Sequence, residues 1–246
     1  MLNTSNQKSF IILIALSSFL SLSVEQAAAS ETLEDFSTYA NRKINDDDWK
    51  SRNGDPNSVY KVTTEDQNLF LRADDKGNSV QLFRKKGWRL HDNPIFTWRW
   101  RVTEFPKGSN EKGGLNDSAA GVYVVFPNRW FVPESIKYVW SDVLPVGTVI
   151  QRHDHFPMLV IRSGRADIGK WITEERNVYD DYKKLFDGRT PSDPVAFGML
   201  TDANDTKSEA IADYDDFKAI EKMSPVVEPK KEVTIAPQKV PAKKSK

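Results

Sequence analysis

The chain contains no cysteine. That excludes disulfides, thiolate-bound structural metal, a lipid-modified N-terminal cysteine and every cysteine-nucleophile mechanism. Histidine is nearly absent, with His91, His153 and His155 the whole supply. There is no net charge, and so no overall basic excess of the kind that holds nucleic acid. No Walker, dinucleotide, G-x-S-x-G or H-E-x-x-H pattern occurs, which leaves NTPase, Rossmann, esterase and zincin readings without support. Long apolar runs are missing too, apart from Phe10 to Val24.

That one run carries information. It follows Lys8 and leads into Ala27-Ala28-Ala29, small residues at both positions of an A-x-A cleavage site. As a helix it would span about 22 Å at ~1.5 Å per residue, short for a hydrocarbon core of about 30 Å. Residues 1–29 therefore read as a secretory signal peptide, cut after Ala29. The expectation is an exported protein, periplasmic or secreted, with no transmembrane segment after cleavage.

The zero charge conceals a division. After Pro225 come Lys230, Lys231, Lys239, Lys243, Lys244 and Lys246 against Glu228 and Glu232, so the tail carries 6 − 2 = +4. Lys8 and Glu25 cancel in the leader, so residues 30–224 carry 0 − 4 = −4. A mildly acidic domain is poor material for nucleic-acid binding. Residues 225–246 hold four prolines, no aromatics and no periodicity, and read as a disordered tail able to touch an anionic surface.

Residues 30–224 have the punctuation of an all-β protein. Ile95 to Val102 alternates, with Phe96, Trp98, Trp100 and Val102 on one side and Thr97, Arg99 and Arg101 on the other. Other short strands are expected at Ser58–Val62, Leu69–Arg72, Ser79–Arg84, Gly121–Phe126, Ile136–Trp140, Gly147–Gln151, Met158–Arg162, Lys170–Val178, Val195–Thr201 and Ala210–Phe217. Asp74-Asp75-Lys76-Gly77-Asn78 reads as a hairpin turn. Strands around Val124, Val160 and Phe197 are apolar on nearly both faces, which suits central positions. The expected fold is a two-sheet β-sandwich of jelly-roll type with one or two short helices, at Glu31–Arg42 and Asp180–Phe186.

Several segments in order, Phe96-Thr-Trp-Arg-Trp-Arg-Val, Asn116-Asp-Ser-Ala-Ala-Gly-Val-Tyr-Val-Val-Phe, Ile136-Lys-Tyr-Val-Trp-Ser, Arg176-Asn-Val-Tyr-Asp-Asp-Tyr and Gly198-Met-Leu-Thr-Asp-Ala-Asn-Asp-Thr, resemble a bacterial family called domain of unknown function 3047. The resemblance covers roughly residues 33 to 218 and implies no activity, so no catalytic residue is carried over. In that family the loop usually reads as paired aspartates followed by an arginine in the next strand. Here it reads Asn116-Asp117 and then Gly121. The opening Leu33-Glu-Asp-Phe and closing Ala210-Ile-Ala-Asp-Tyr-Asp-Asp-Phe also resemble the ends of carbohydrate-binding jelly rolls.

Candidate ligand-binding residues are Arg99, Arg101, Asp117, Tyr138, Trp140 and Asp202. A sheet face carrying Arg99, Arg101, Tyr138 and Trp140 would stack sugar rings and offer guanidinium forks to hydroxyls or uronate carboxylates. Cross-strand ion pairing is the plain alternative for the arginines. His153 and His155 could share a divalent metal or lie in a solvated turn. No cofactor is required, although a structural Ca²⁺ could use Asp35, Asp215 and Asp216, or the Asp202–Thr206 loop. The expected role is binding a carbohydrate or other cell-envelope component. Two alternatives stand beside it: a polysaccharide lyase or glycoside hydrolase, or an envelope scaffold. For the enzyme, Tyr138 or a histidine would be the base, and Asp117, Asp180, Asp181 and Asp202 are the carboxylate candidates.

Overall fold

The computed structural model describes residues 29–39, 44, 47–127 and 132–222. The leader up to residue 28 and the tail from residue 223 lie outside the described residues. In chain order the elements are β1 (Ser30–Glu34), β2 (Trp49–Arg52), β3 (Tyr60–Glu65), β4 (Asn68–Asp75), β5 (Gln81–Arg84), β6 (Ile95–Glu104), β7 (Ala120–Phe126), β8 (Glu134–Ser141), β9 (Val149–Gln151), β10 (Pro157–Ser163), β11 (Ile172–Asn177), α1 (Val178–Leu185), β12 (Ala196–Leu200) and β13 (Ala210–Ile220). Single 3-10 turns occur at Ser37–Tyr39 and Pro56–Ser58.

The strands form two sheets. One has the order β11-β6-β13-β4-β3, with β1 pairing β13 beyond the end of β4; the other runs β2-β5-β12-β7-β8-β10-β9. Four antiparallel pairs nest within the chain: β4 with β13, β5 with β12, β6 with β11 and β7 with β8. The inner strands of this nest pass from sheet to sheet, which is the wrapping of a jelly roll. The sandwich is thus read directly from strand order.

Alternation drives the layers together. Phe96, Trp98, Trp100 and Val102 of β6 face Tyr138 and Trp140 of β8 across the interior, all essentially sealed from solvent. Trp98 stacks on Tyr138 at 5.5 Å between ring centroids, and Trp100 lies 5.8 Å from Trp140. Aromatic pairs at such spacing add to the gain from burying their area. The helix α1 starts at Asn177, whose side chain accepts from the Asp180 amide, with Asp180 and Asp181 in the first turn and Lys183 and Lys184 in the last.

Two local expectations are overturned, and one strand had no expectation. Glu31–Glu34 is strand, paired to the last strand, because Leu33 is needed in the core; of the rest of the expected helix, Ser37–Tyr39 is a single 3-10 turn and residues 40–42 are outside the described set. The Asp74–Asn78 turn does not close a hairpin: β4 and β5 belong to opposite sheets. The edge strand β2, unmarked by alternation beyond Trp49, joins β5.

Candidate functional site

The outer face of the seven-stranded sheet carries an aromatic cleft. On β7 the inward residues are Val122 and Val124, so Tyr123 and Val125 point outward. Phe83 of β5 comes to the same face because Gly198 of β12 stands opposite it. A Cβ at Gly198 would lie under 3.0 Å from Phe83 Cδ1 and 2.5 Å from the Leu82 carbonyl oxygen. The bare glycine lets the ring cross the strand. Phe83 lies 5.4 Å from Tyr123, and Phe156 stacks on the other side of Tyr123 at 5.8 Å and 10°.

The turn before β10 closes one side. Phe156 N donates to the His153 carbonyl at 3.0 Å, and Ser135 N on β8 donates to the His155 carbonyl at 3.0 Å. The two imidazoles stack 5.8 Å apart. The cleft encloses about 490 Å³ and is lined chiefly by Arg52, Phe83, Tyr123, His153, His155 and Phe156. Burial pushes the Tyr123 phenol far above its usual range, which leaves it a neutral ring rather than a base.

Beside the cleft the same face holds a sealed polar cluster. Lys137 of β8 points outward from its strand yet is only 4% exposed. Its stem lies over Gly121 of β7, where a Cβ would come within 3.0 Å of Lys137 Cε. At Gly121 the cation thus arrives from the neighbouring strand. Lys137 donates to Ser118 Oγ at 3.3 Å. Burial lowers its pKa, while Asp202, Glu111 and Asp117 pull it back. Asp117 accepts from the amides of Asp205 (3.1 Å) and Thr206 (2.7 Å), which ties two loops together. Burial pushes Asp202 up to about 6, the Lys137 charge opposing and the Asp117 charge adding. Glu111, also raised by burial, accepts from Ser141 Oγ at 2.6 Å. Asp117 and Asp202 therefore do come together, but as loop anchors sealed from solvent. Lys137 and Glu111 had no sequence signal: a lysine alternating outward in a strand reads as solvated.

The other expected partners separate. Tyr138 and Trp140 lie in the interior on one sheet, Arg99 and Arg101 on the outer face of the other, so the four share no face. This corrects the composite platform. Tyr138 donates to Asp181 at 3.0 Å, and Trp140 Nε1 to the Gly164 carbonyl at 3.0 Å. Sealed in the core, with burial and the Asp181 charge holding its phenol protonated, Tyr138 cannot act as a base on a polymer.

The arginines follow the plain alternative. Asp213, fully buried on the neighbouring strand β13, accepts from Arg101 Nε at 2.8 Å and Arg72 Nε at 2.7 Å. Arg101 also reaches Glu65 at 2.9 Å. Arg99 meets Asp215 and Asp216 at 2.7 Å each. Both guanidiniums lie over Trp171, 5.0 and 4.7 Å from its ring centroid. Charge and stacking valence are used internally.

No group of three histidine, aspartate or glutamate side chains suited to a metal occurs among the described residues. Asp35 serves Ser37 through both its amide and its hydroxyl. Asp215 binds Asn68 and Arg99, while Asp216 meets Arg99 and Lys218, so the expected calcium set is not assembled. The Asp202–Thr206 loop is organised by its contacts with Asp117. Of the catalytic candidates, Asp180 belongs to the helix cap and Asp181 is held by a two-pronged contact with Arg176.

Fold and site together define a jelly-roll β-sandwich with an open aromatic cleft on one sheet. The chain belongs to the family described as protein of unknown function (DUF3047), whose model matches residues 47–218. No curated protein matches it. Among solved structures it is similar to the family 11 carbohydrate-binding module of cellulosomal cellulase Lic26A-Cel5E of Clostridium thermocellum, at 9% identity and a TM-score of 0.42, covering 82% of this chain and 99% of that one. TmCBM61 in complex with beta-1,4-galactotriose matches at 12% identity and a TM-score of 0.36, covering 76% and 95%. The catalytic domain of Humicola grisea Cel12A in complex with a thio cellotetraose matches at 8% and 0.34, covering 78% and 92%.

Proposed function

We propose that this protein binds a carbohydrate of the cell envelope in the cleft on its seven-stranded sheet. At their low identity the solved neighbours do not reach the site, and the reading rests on the cleft itself. The observation that carries it is the row Phe83, Tyr123 and Phe156, set on rigid strands and a tied turn, in which the half-buried Phe83 and Phe156 keep ring surface at the cleft on either side of a buried Tyr123. Flat apolar rings suit the C–H faces of sugars, while Arg52, Gln81, Ser135 and the histidines offer polar contacts at the margin. No Asp or Glu lines the cleft among the described residues, so glycoside hydrolysis by two carboxylates has no support there.

The protein would act outside the cytoplasm, its leader removed after Ala29 and its lysine tail resting on anionic lipid or wall polymer. Removal at that point leaves β1 whole from Ser30. Edman sequencing of the exported form should begin at Ser30, and an N-terminus still carrying Phe10–Val24 would refute export by this leader.

Affinity electrophoresis of the full chain in gels containing envelope polysaccharides tests the binding role. At least one polymer should retard the protein, Phe156→Ala should weaken retardation about tenfold, and Arg99→Ala should leave it unchanged. Mobility unaltered by every polymer, or a Phe156→Ala protein that binds like the wild type, would sink the reading.

A further inference from the structure

We infer that the glycan taken by this cleft bears carboxylate groups, and that Arg52 is the residue that holds one of them; this rests on the carbohydrate-binding reading above. The charge pattern of the molecule points there. Every other described arginine has a carboxylate or a backbone carbonyl as its partner. Arg72, Arg84, Arg89, Arg99, Arg101, Arg162, Arg165, Arg176 and Arg189 each meet a carboxylate. Arg152 donates to the carbonyls of Glu111 and Gly113. Arg52 meets neither among the described residues, and it is the arginine that lines the cleft.

Its placement is built rather than incidental. Arg52 ends β2 directly opposite Gln81 of β5, so guanidinium and amide leave adjacent strands on one face. Both line the cleft, across from the imidazoles of His153 and His155. No carboxylate lies among the lining residues to repel an anion or to neutralise the arginine. Asp154, between the two histidines, is exposed and is not part of the lining. A planar donor fork beside stacking rings matches a pyranose whose carboxylate projects from the ring plane. A polyphosphate fits less well. Dense phosphate needs many cations rather than one.

The test uses the full chain and calorimetry against alginate, hyaluronan and polygalacturonate, each beside its methyl-esterified form, with oligo-deoxythymidine as a further arm. Esterification keeps the sugar backbone and removes the charge. The expected result is binding to at least one acidic polymer, weakened about tenfold or more by esterification. Arg52→Ala should lose the same factor on the acidic form and almost nothing on the ester. Arg99→Ala should change neither. Equal affinity for acid and ester would overturn the inference and leave the carbohydrate reading standing. Acid-selective binding that survives Arg52→Ala would place the carboxylate elsewhere, and again only the inference falls. Tight binding to oligo-deoxythymidine with no acidic glycan bound, or no binding to any polymer, would remove both.

Discussion

Replacing Gly198 by alanine should destabilise the protein by about 1–2 kcal/mol and close the cleft as well. In an unstrained strand position this substitution stabilises, by about 0.4–1 kcal/mol, because alanine lowers the entropy of the unfolded chain. Here the added methyl meets two kinds of obstacle. The Phe83 ring, under 3.0 Å away, can swing aside, but the Leu82 carbonyl oxygen at 2.5 Å belongs to the backbone of β5 and moves only with its strand. Overpacking of this sort costs about 1–3 kcal/mol, which outweighs the entropic gain. For a domain of this size the net loss lowers Tm by roughly 2–8 °C. Thermal and urea unfolding followed by circular dichroism would measure it, with Gly114→Ala as the control, since nothing lies within 4 Å of a Cβ there. In a Phe83→Ala background the ring obstacle is gone and the carbonyl obstacle remains, so part of the cost should persist. A Gly198→Ala protein as stable as wild type would refute the account of how Phe83 reaches the cleft.

Two further outcomes follow from the polar clusters. Asp202 is held at about 6 in the folded protein against about 3.9 when unfolded, so its ionisation opposes folding above pH 6. Stability should therefore rise as pH falls from about 7 towards 4, with a ceiling of about 3 kcal/mol from this group; Asp202→Asn should flatten the rise, and a wild-type-minus-mutant difference constant across that range would contradict it. Asp213→Ala should cost about 3–5 kcal/mol by leaving the buried Arg101 without its buried partner, yet leave glycan retardation unchanged at temperatures where the variant is folded. Loss of binding in that variant while it remains folded would mean that the arginine face serves the ligand after all.

The aromatic interior was legible because β6 is long enough to alternate through four inward positions, and large rings at every second residue have few alternatives to burial. The short helix was expected at Asp180–Phe186, and the structure starts it two residues earlier, at Val178, behind the Asn177 cap. The cleft was not. Phe83, Tyr123 and Phe156 are far apart in the chain, and each reads singly as another core ring. What turned them outward was the register of three strands and one missing Cβ at Gly198. Lys137 illustrates the same limit: its outward position was correct for its strand, but two loops and Gly121 bury it.

Alternation tells which residues of a strand share a side, and it did so for β6 and for Tyr138 and Trp140 of β8. It carries nothing about which sheet a strand joins, because that choice depends on pairings made across long stretches of chain. Hence Trp98 and Tyr138 could be recognised as ring-bearing strand residues, while their meeting inside and the placing of Arg99 and Arg101 on the opposite outer surface required the wrapped topology. Composition and local periodicity determined an all-β sandwich with an indole-rich interior. Only the tertiary structure decided which outer face keeps an uncommitted guanidinium beside open rings, since long-range pairing, not local pattern, sets which charges are consumed within the protein.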